Sequence, residues 1–455
     1  MNKTAVINVV GLSKKLLGAN TPFLSKWSAN KNISTIDPVL PAVTCSVQTT
    51  YLTGKWPSEH GIVGNGWFFR DEQEIKLWRQ SNKLVLSPSI WDNARKRDPN
   101  FTCANMFWWY NMYSGVDYSV TPRPQYRANG LKIPDCYCYP VELRDQLQAA
   151  LGTFPLFDFW GPKTSIKSSQ WIADAAKWTQ KSHNPDLLLV YLPHLDYVLQ
   201  KYGHDQKCLP KDLQGIDAVC ADLITYLENL GLSVNVISEY GITDVEQPIH
   251  INRVLRNMGL INVRIENGLE LLDAGASKAF ALADHQIAHI YIQDLSLKDE
   301  VKAQLEKTPG IEMVLDTEEK KSFHIDHDRT GELVAIADKR SWFTYYYWED
   351  DTLAPDFART VEIHKKPGYD PVEMFLDPKK KLIIPRIVVK LLAKKLGFRT
   401  MMDLIPLDAS LVKGSHGRVS LEKKDKAVFI GNHQQSETIS AIHVHDAILD
   451  QIFKI

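Results

Sequence analysis

Three short apolar segments constrain the fold of this chain more than any other feature. They read AVINVVGL at residues 5–12, DLLLVYLP at 186–193 and SVNVISEYG at 233–241. Each segment is continuously apolar, which is typical of a strand buried on both faces of a parallel sheet. Between them lie stretches with apolar residues every three or four positions, such as SSQWIADAAKWTQKS and LQGIDAVCADLITYLENLG. This alternation predicts an α/β fold with a mostly parallel sheet flanked by helices.

A different pattern occupies residues 246–399. FALADHQIAHIYIQD is strand-like, LKDEVKAQLEKTPGIEMVL predicts a helix and then a strand, and TGELVAIAD and WFTYYYWED predict further strands. We interpret this region as an α+β cap inserted into a core of residues 1–245 and 400–455. The Lys-rich helix RIVVKLLAKKLGF returns the chain to the core. The aromatic clusters Trp342–Trp348 and Phe107–Tyr113 fit either buried packing or a surface that stacks on an organic leaving group.

Charge and cysteine content exclude several classes of protein. The chain has 53 Lys and Arg against 54 Asp and Glu, so nothing indicates a nucleic acid polymer as partner. No run approaches 18 apolar residues, so we expect no membrane span, and the N-terminus fits a first strand better than a signal peptide. Six scattered cysteines favour a reducing compartment, and we predict a cytoplasmic protein. The oligomeric state is not determined by the sequence.

Polar residues follow the predicted strands where a ligand site would lie. Asp196 and Gln200 come after 186–193, Glu239 follows the strand near 235, and His416 lies in a late Gly-Ser-His-Gly. Buried carboxylates need cations or hydrogen-bond donors, so these side chains make sense as one convergent site. The alternative is that Asp196 and Glu239 only cap the helices that follow them.

The segment PAVTCSVQTTYLTGKWPSEHGIVGN, residues 41–65, combines clustered hydroxyls with a long gapped spacing. Thr44 is followed nine residues later by Thr53-Gly54, and then by Pro57-x-x-His60-Gly61 and Gly64-Asn65. This spacing resembles the nucleophile segment of the nucleotide pyrophosphatase/phosphodiesterase and phosphonoacetate hydrolase branch of the alkaline phosphatase superfamily. The order of Asp196, Glu239-Tyr240 and Gly414-Ser415-His416-Gly417 agrees with that family.

The resemblance implies that Thr44 attacks phosphorus beside two metal ions. The alternative is that Thr44 only caps a helix. Cys45 is expected to pack, and His60 to shape the loop. The sequence departs from the family at the metal ligands: Val10 replaces the first-strand Asp, Gln200 replaces a His, and Glu239-Tyr240 replaces an Asp-His pair. The resemblance therefore implies metal ligation by Asp196, Gln200, Glu239 and His416, with fewer than two Zn²⁺, Mn²⁺ or Mg²⁺ ions.

Other residues could replace the missing ligands, although each is expected to be structural or to face a substrate. They are His194, His204, Asp284, His285, His289, His324, Asp326, His327 and His364. The predicted function is a metal-dependent hydrolase of phosphate diesters, pyrophosphates or related phosphorus esters, acting on a small phosphorylated molecule. The alternative is a relative that binds a phosphorylated molecule without hydrolysing it or with changed chemistry. A third hypothesis, an interaction module within a biosynthetic assembly, draws only on the long cap.

Overall fold

The computed structural model describes residues 1–419, 422–432 and 436–453, and its centre is a nine-stranded sheet. The order across this sheet is β23-β2-β22-β11-β1-β10-β5-β6-β9. Its strands are β1 (Thr4–Val9), β2 (Asn32–Asp37), β5 (Cys103–Met106), β6 (Tyr118–Pro122), β9 (Cys136–Tyr139), β10 (Leu187–Leu192), β11 (Ser233–Ile237), β22 (Ala427–Gly431) and β23 (Thr438–Ser440).

Most neighbours in this sheet are parallel, as the apolar runs predict. β1 pairs in parallel with β10 and β11, with Asn8 opposite both Tyr191 and Ile237. β22 is antiparallel to β11 and to β2, so β2 points the same way as β11. The carboxyl ends of β1, β2, β10 and β11 therefore share one edge of the sheet, where ligands bind in open α/β folds.

Helices cover the sheet and connect its strands. They are α1 (Pro22–Ser28), α2 (Thr44–Thr53), α3 (Pro57–His60), α4 (Ile90–Arg97), α5 (Glu142–Leu151), α6 (Leu156–Phe159), α7 (Lys167–His183), α8 (His194–Tyr202), α9 (Leu209–Asn229), α10 (Ile251–Asn257), α11 (Lys298–Glu306), α12 (Thr317–Ser322), α13 (Ile383–Lys395) and α14 (His443–Phe453). α9 buries Ile216, Cys220 and Leu223 at three- and four-residue spacing, which gives it one apolar face toward the core. None of the helices in the described part of the chain has the length and apolar content to cross a membrane.

A second, four-stranded sheet lies within the predicted insert. Its strands are β16 (Ala279–Asp284), β17 (Ile287–Ile292), β18 (Ile311–Leu315) and β19 (Leu333–Ala337), in the order β16-β17-β19-β18. The core and insert boundaries proposed from the sequence stay a prediction. Two-stranded pairs complete the structure: β3 (Gly66–Phe69) with β4 (Glu74–Leu77), β7 (Gln125–Tyr126) with β8 (Lys132–Ile133), β12 (Thr243–Asp244) with β21 (Gly414–Ser415), β13 (Gln247–Ile249) with β20 (Ser341–Phe343), and β14 (Val263–Glu266) with β15 (Leu269–Leu272).

The structure refines three local predictions. FALADHQIAHIYIQD is strand-like as expected but forms a hairpin of two strands, because His285 adopts φ 62° and turns the chain after Asp284. In WFTYYYWED only the short strand β20 forms, so the strand prediction is wrong for the rest, and Tyr345, Tyr346 and Trp348 pack in a buried apolar cluster, the first of the two alternatives. The chain returns to the main sheet after α13, but none of the residues of α13 is buried.

A buried ion cluster holds the chain between the second sheet and the site. The Lys366 ammonium lies 2.7 Å from both the Asp370 and the Glu373 carboxylates, and all three side chains are almost completely buried. Tyr369 belongs to the same segment and reaches toward α8. Because a buried charge is costly without its partner, this cluster fixes where Tyr369 lies.

Replacing Lys366 with Met tests this anchoring role. The substitution leaves two buried carboxylates without their cation, and we expect it to lower the free energy of unfolding by about 3–5 kcal/mol. Chemical denaturation followed by circular dichroism measures the change. Lys321→Met is the control, because Lys321 pairs with Glu318 on the surface and its loss should leave the midpoint unchanged. Equal midpoints for Lys366→Met and the unmodified protein would contradict the role.

Candidate active site

Thr44 is the first residue of α2 and lies at the carboxyl edge of the main sheet. The loop before it is joined to the Gly-Ser-His-Gly segment: the Ala42 N–H donates to the Gly417 carbonyl at 2.9 Å, and the His416 Nδ1–H donates to the Ala42 carbonyl at 2.8 Å. Two segments nearly 400 residues apart therefore meet at the proposed nucleophile. The second bond fixes the His416 tautomer and leaves its Nε2 as an acceptor.

A line of hydrogen bonds runs from Thr44 to α8. The Thr44 hydroxyl is 3.0 Å from the Tyr240 hydroxyl, which donates to Asp196 Oδ1 at 3.2 Å. The Gln200 amide donates to Asp196 Oδ2 at 3.0 Å, and its oxygen accepts from the Tyr369 hydroxyl at 2.8 Å. Both oxygens of Asp196 thus have donors within the protein. The alternative of a simple helix cap does not describe Asp196, because its carboxylate bonds side chains across the site.

Four aromatic rings stack across the site. Tyr240 lies 3.6 Å from His416, His416 lies 3.8 Å from His285, and His285 lies 3.7 Å from Tyr369, between ring centroids. The His285 Nδ1–H donates to Asp284 at 2.7 Å. Tyr240 follows β11 of the main sheet and His416 follows β21, whereas His285 turns the hairpin between β16 and β17 of the second sheet. The two sheets therefore share this site.

Glu239 lies in a separate group of donors. Its Oε1 accepts from the Asn8 amide at 2.6 Å and from the Gln48 amide at 2.5 Å, while its Oε2 is buried without a hydrogen-bond partner among the described residues. Asn8 is the last residue but one of β1, and Gln48 lies one turn into α2. The carboxylate therefore faces amides of the core and not His416.

Burial dominates the electrostatics of the site. It raises the pKa of Asp196 to about 7, against the hydrogen bonds from Gln200 and Tyr240 that lower it. It also raises the pKa of Glu239 to about 8, opposed by the Gln48 and Asn8 amides. Burial lowers the pKa of His416 well below its usual range, so this imidazole is neutral. Carboxyl groups with a pKa near neutrality can both accept and donate protons.

The donor atoms do not fit the pair of metal ions that the resemblance implies. Val10 has no donor atom and is fully buried, the Tyr240 hydroxyl bonds Asp196, and the Gln200 oxygen is taken by Tyr369. Across the described residues, no group of three or more His, Cys, Asp or Glu side chains is arranged to hold a metal. His416 Nε2 and Asp196 Oδ1 face each other at 3.5 Å. The ligand roles predicted for Asp196, Gln200, Glu239 and His416 stay a prediction.

Most of the substitute ligands considered from the sequence bond elsewhere. His194 pairs with Asp212 at 2.9 Å, His204 with Asp244 at 2.9 Å, and His289 Nε2 with the Val63 carbonyl at 2.9 Å. His324 stacks on Trp56, and the His327 ring accepts from the Arg329 N–H. Only Asp284 and His285 reach the site. Asp284 also accepts from the Asn65 N–H and amide at 2.9 and 3.0 Å.

The remaining sequence expectations concern Cys45, His60 and a residue that was missed. Cys45 is fully buried with a raised thiol pKa, as expected for a packing residue. His60 shapes its loop by accepting from the Ile62 N–H at 3.1 Å and bonding the Thr50 hydroxyl. Tyr369, in KKPGYDP, was not predicted, and no spacing signal distinguishes it because its place depends on the buried ion cluster.

The family of the chain follows from comparison with known proteins. The model of the type I phosphodiesterase / nucleotide pyrophosphatase family matches residues 4–370. The chain therefore belongs to this family. It is 26% identical over 248 residues to an uncharacterized pyrophosphatase/phosphodiesterase of Schizosaccharomyces pombe, covering 52% of this chain and 43% of that protein. It is 24% identical over 282 residues to ectonucleotide pyrophosphatase/phosphodiesterase 1 of Saccharomyces cerevisiae, covering 54% and 35%. The chain thus spans less than half the length of these relatives.

Solved structures support the α/β fold. Murine ectonucleotide pyrophosphatase / phosphodiesterase 5 superposes with a TM-score of 0.60 at 14% identity, over 99% of this chain and 95% of that chain. Phosphonoacetate hydrolase from Sinorhizobium meliloti 1021, solved with phosphonoformate, superposes with a TM-score of 0.59 at 15% identity, over 98% and 96%. An inactive form of the murine protein was solved with AMP. The α/β fold with a mostly parallel sheet flanked by helices, expected from the sequence, is confirmed.

The buried carboxyl of Glu239 predicts a specific pH dependence of stability. Its folded pKa of about 8 exceeds the ordinary value near 4.3, so the folded state holds the proton more tightly. This contribution is present in full at acidic pH and is lost as the pH rises through about 8. Between pH 5 and 8, the thermal midpoint should therefore fall more for the unmodified protein than for Glu239→Gln.

Differential scanning calorimetry across that pH range measures how the thermal midpoint changes with pH in the unmodified protein and in Glu239→Gln. Glu306→Gln provides the control, because Glu306 is exposed and its loss should keep the original slope. The interpretation is wrong if Glu239→Gln shows the same pH slope as the unmodified protein.

Proposed function

We propose that the chain is a hydrolase of phosphate diesters, pyrophosphates or related phosphorus esters in which Thr44 is the nucleophile. One observation carries the proposal: the Thr44 hydroxyl stands at the start of a ten-residue helix and is hydrogen-bonded through Tyr240 to Asp196. The positive end of α2 favours a bound phosphoryl group, and the line of hydroxyls offers a route for the proton. Family membership agrees with this class of reaction.

In the first step, Thr44 Oγ attacks phosphorus and the ester oxygen of the leaving group departs. The hydroxyl proton of Thr44 passes to the Tyr240 oxygen while the Tyr240 proton passes to Asp196. A carboxyl with a pKa of about 7 is partly ionised at neutral pH and can receive it. The product is a phosphothreonine and a leaving group that takes a proton from solvent. Tyr240 ends the step neutral.

In the second step, water attacks the phosphothreonine. The Thr44 oxygen leaves with its bonding electrons and regains a proton from Tyr240, which takes one from Asp196, so the relay returns to its starting state. The water's own proton goes to solvent. Thr44 is 4% exposed and Asp196 is 5% exposed, so we propose that neighbouring side chains move to admit a substrate. This motion would also admit the water.

A divalent ion enters the proposal only as the single ion predicted at Asp196 and His416. When bound, such an ion would neutralise phosphoryl oxygens. The substrate is proposed as a small phosphorylated molecule and not a nucleic acid polymer, in keeping with the AMP and phosphonoformate held by proteins of similar fold. A cytoplasmic location stays a prediction.

Substituting the nucleophile and its relay partner tests the mechanism. Thr44→Ala should abolish turnover of an activated phosphate diester, and Tyr240→Phe should lower kcat about 10²- to 10⁴-fold, because it removes proton transfer and keeps the ring. The measurement is steady-state hydrolysis of bis(p-nitrophenyl) phosphate and related esters. Thr53→Ala is the control from the same helix, where the hydroxyl donates to the Thr49 carbonyl and accepts from the Lys55 N–H. Full activity of Thr44→Ala would exclude the proposed nucleophile.

Metal removal distinguishes a mechanism that uses one metal ion from a mechanism that uses none. If Asp196 and His416 hold one ion, the protein purified without chelator should contain about one ion per chain, and chelation should reduce turnover. Added Mn²⁺, Mg²⁺ or Zn²⁺ should restore it, and His416→Ala should lose the ion. Two ions per chain would mean that residues outside the predicted set bind metal. Turnover that is unaffected by chelation would assign activation of Thr44 to the Tyr240 relay alone.

A second candidate is a protein that binds a phosphorylated ligand without cleaving it. It is favoured by Val10, which has no atom that could bind a metal, and by Tyr240. The Tyr240 ring stacks on His416, and its hydroxyl donates a hydrogen bond to Asp196. Calorimetric titration with AMP, alongside an ester panel, distinguishes the two. Saturable AMP binding with no turnover of any ester, with or without added metal, supports this candidate against the hydrolase.

A further inference from the structure

Helix α13 exposes an apolar face to solvent, whereas a helix of a globular core buries such a face. Most of its apolar side chains are exposed, among them Val389 at 64%, and Leu396 just after the helix is 77% exposed. The less exposed face carries Ile383 and Ile387 together with Lys390, which forms an ion pair with Asp403 and donates to the Met401 carbonyl. Exposed apolar residues continue along the helix and just beyond both ends, at Leu382, Ile384, Val388, Val389, Leu391, Leu392, Leu396, Phe398 and Met401.

The same segment is strongly basic. Residues 379–399 contain eight Lys or Arg and no Asp or Glu, in a chain whose formal net charge is −1. Lys380 and Lys390 share Asp403. Within the described chain, Lys381, Arg386 and Lys395 form no ion pair and extend from the ends and sides of the apolar face. An apolar face ringed by unpaired cations is complementary to a surface with an apolar interior and anionic head groups.

The chain leaves the rest of the protein before this segment and returns to it after the segment at a neighbouring position. The Asp377 N–H donates to the Leu404 carbonyl at 2.8 Å, and the Ile405 N–H donates to the Arg359 carbonyl at 3.0 Å. Arg399 also donates to the Ala128 carbonyl at 2.9 Å, beside the hairpin of β7 and β8. That hairpin carries the exposed Tyr126 and Leu131 next to Arg127 and Lys132. The basic apolar surface therefore extends beyond the helix.

We propose that residues 379–399 dock the protein on the surface of a membrane that contains anionic lipids. A 13-residue helix is about 20 Å long, shorter than the roughly 30 Å of hydrocarbon that a spanning helix must cross, so α13 would lie in the interface. Its apolar side chains enter the acyl boundary, and the surrounding cations meet the lipid phosphates. A second copy of the chain is a poorer occupant, because two such segments would bring sixteen cations together.

Vesicle flotation of the full-length protein tests the proposal. It should bind phosphatidylcholine vesicles that contain phosphatidylglycerol, bind pure phosphatidylcholine much less, and dissociate as salt is raised. Val389→Glu with Leu392→Glu should weaken binding at least about tenfold, and Lys381→Glu with Lys395→Glu about fivefold or more for each Lys replaced. These side chains are exposed, so thermal midpoints should be unchanged.

Matched controls make the test specific. Ile265→Glu with Leu295→Glu places the same two charges at apolar residues that are 64% and 65% exposed, and Lys26→Glu with Lys307→Glu makes the same change of net charge as the Lys381 and Lys395 variant. Neither control should alter binding by more than the uniform effect of net charge. The proposal is overturned if the unmodified protein does not float with anionic vesicles at low salt, or if the controls weaken binding as much as the α13 variants. It is equally overturned by a lipid-free dimer that Val389→Glu with Leu392→Glu dissociates.

Discussion

Two carboxyl groups buried at one edge of the main sheet govern the arrangement of the site. A buried carboxylate is stable only if hydrogen-bond donors or cations surround it, and no Lys or Arg bonds Asp196 or Glu239 in the described structure. Amides and hydroxyls take that role: Gln200 and Tyr240 around Asp196, and Asn8 and Gln48 around Glu239. These donors come from β1, α2, α8 and the segment after β11, so satisfying two carboxyls fixes four parts of the chain at once.

The second sheet completes the site and is not merely attached to the core. Its hairpin inserts His285 between His416 and Tyr369, and the Gln286 N–H donates to the His416 carbonyl at 2.8 Å. Gly417 allows this approach, because a Cβ there would lie 3.1 Å from the Gln286 nitrogen at a φ of 121°. The contact between the two sheets therefore shapes the site.

Much of the fold could be predicted because it depends on local patterns. The continuous apolar runs identified β1, β10 and β11, and the three- and four-residue spacing identified α7 and α9. The errors occurred where tertiary packing overrides the local pattern. TYYYW has strong strand propensity but leaves the sheet to fill an apolar cluster, and one long apolar run hides a hairpin because a His occupies a turn conformation usually taken by Gly or Asn. α13 was correctly predicted as a helix, but helical periodicity does not determine which face the protein covers.

The sequence by itself determined the spacing around Thr44, the alternation of strands and helices, and the presence of Val10, Gln200 and Tyr240 where the resemblance implies metal ligands. Only the tertiary structure decided what these replacements do. Whether Tyr240 leaves a gap or bonds Asp196 depends on atoms that are distant in sequence and meet through the parallel register of β1, β10 and β11. In the same way, the composition of α13 gave its charge, but packing alone turned its apolar face outward. Spacing records which residues are present, whereas burial and contact determine which atoms share an environment.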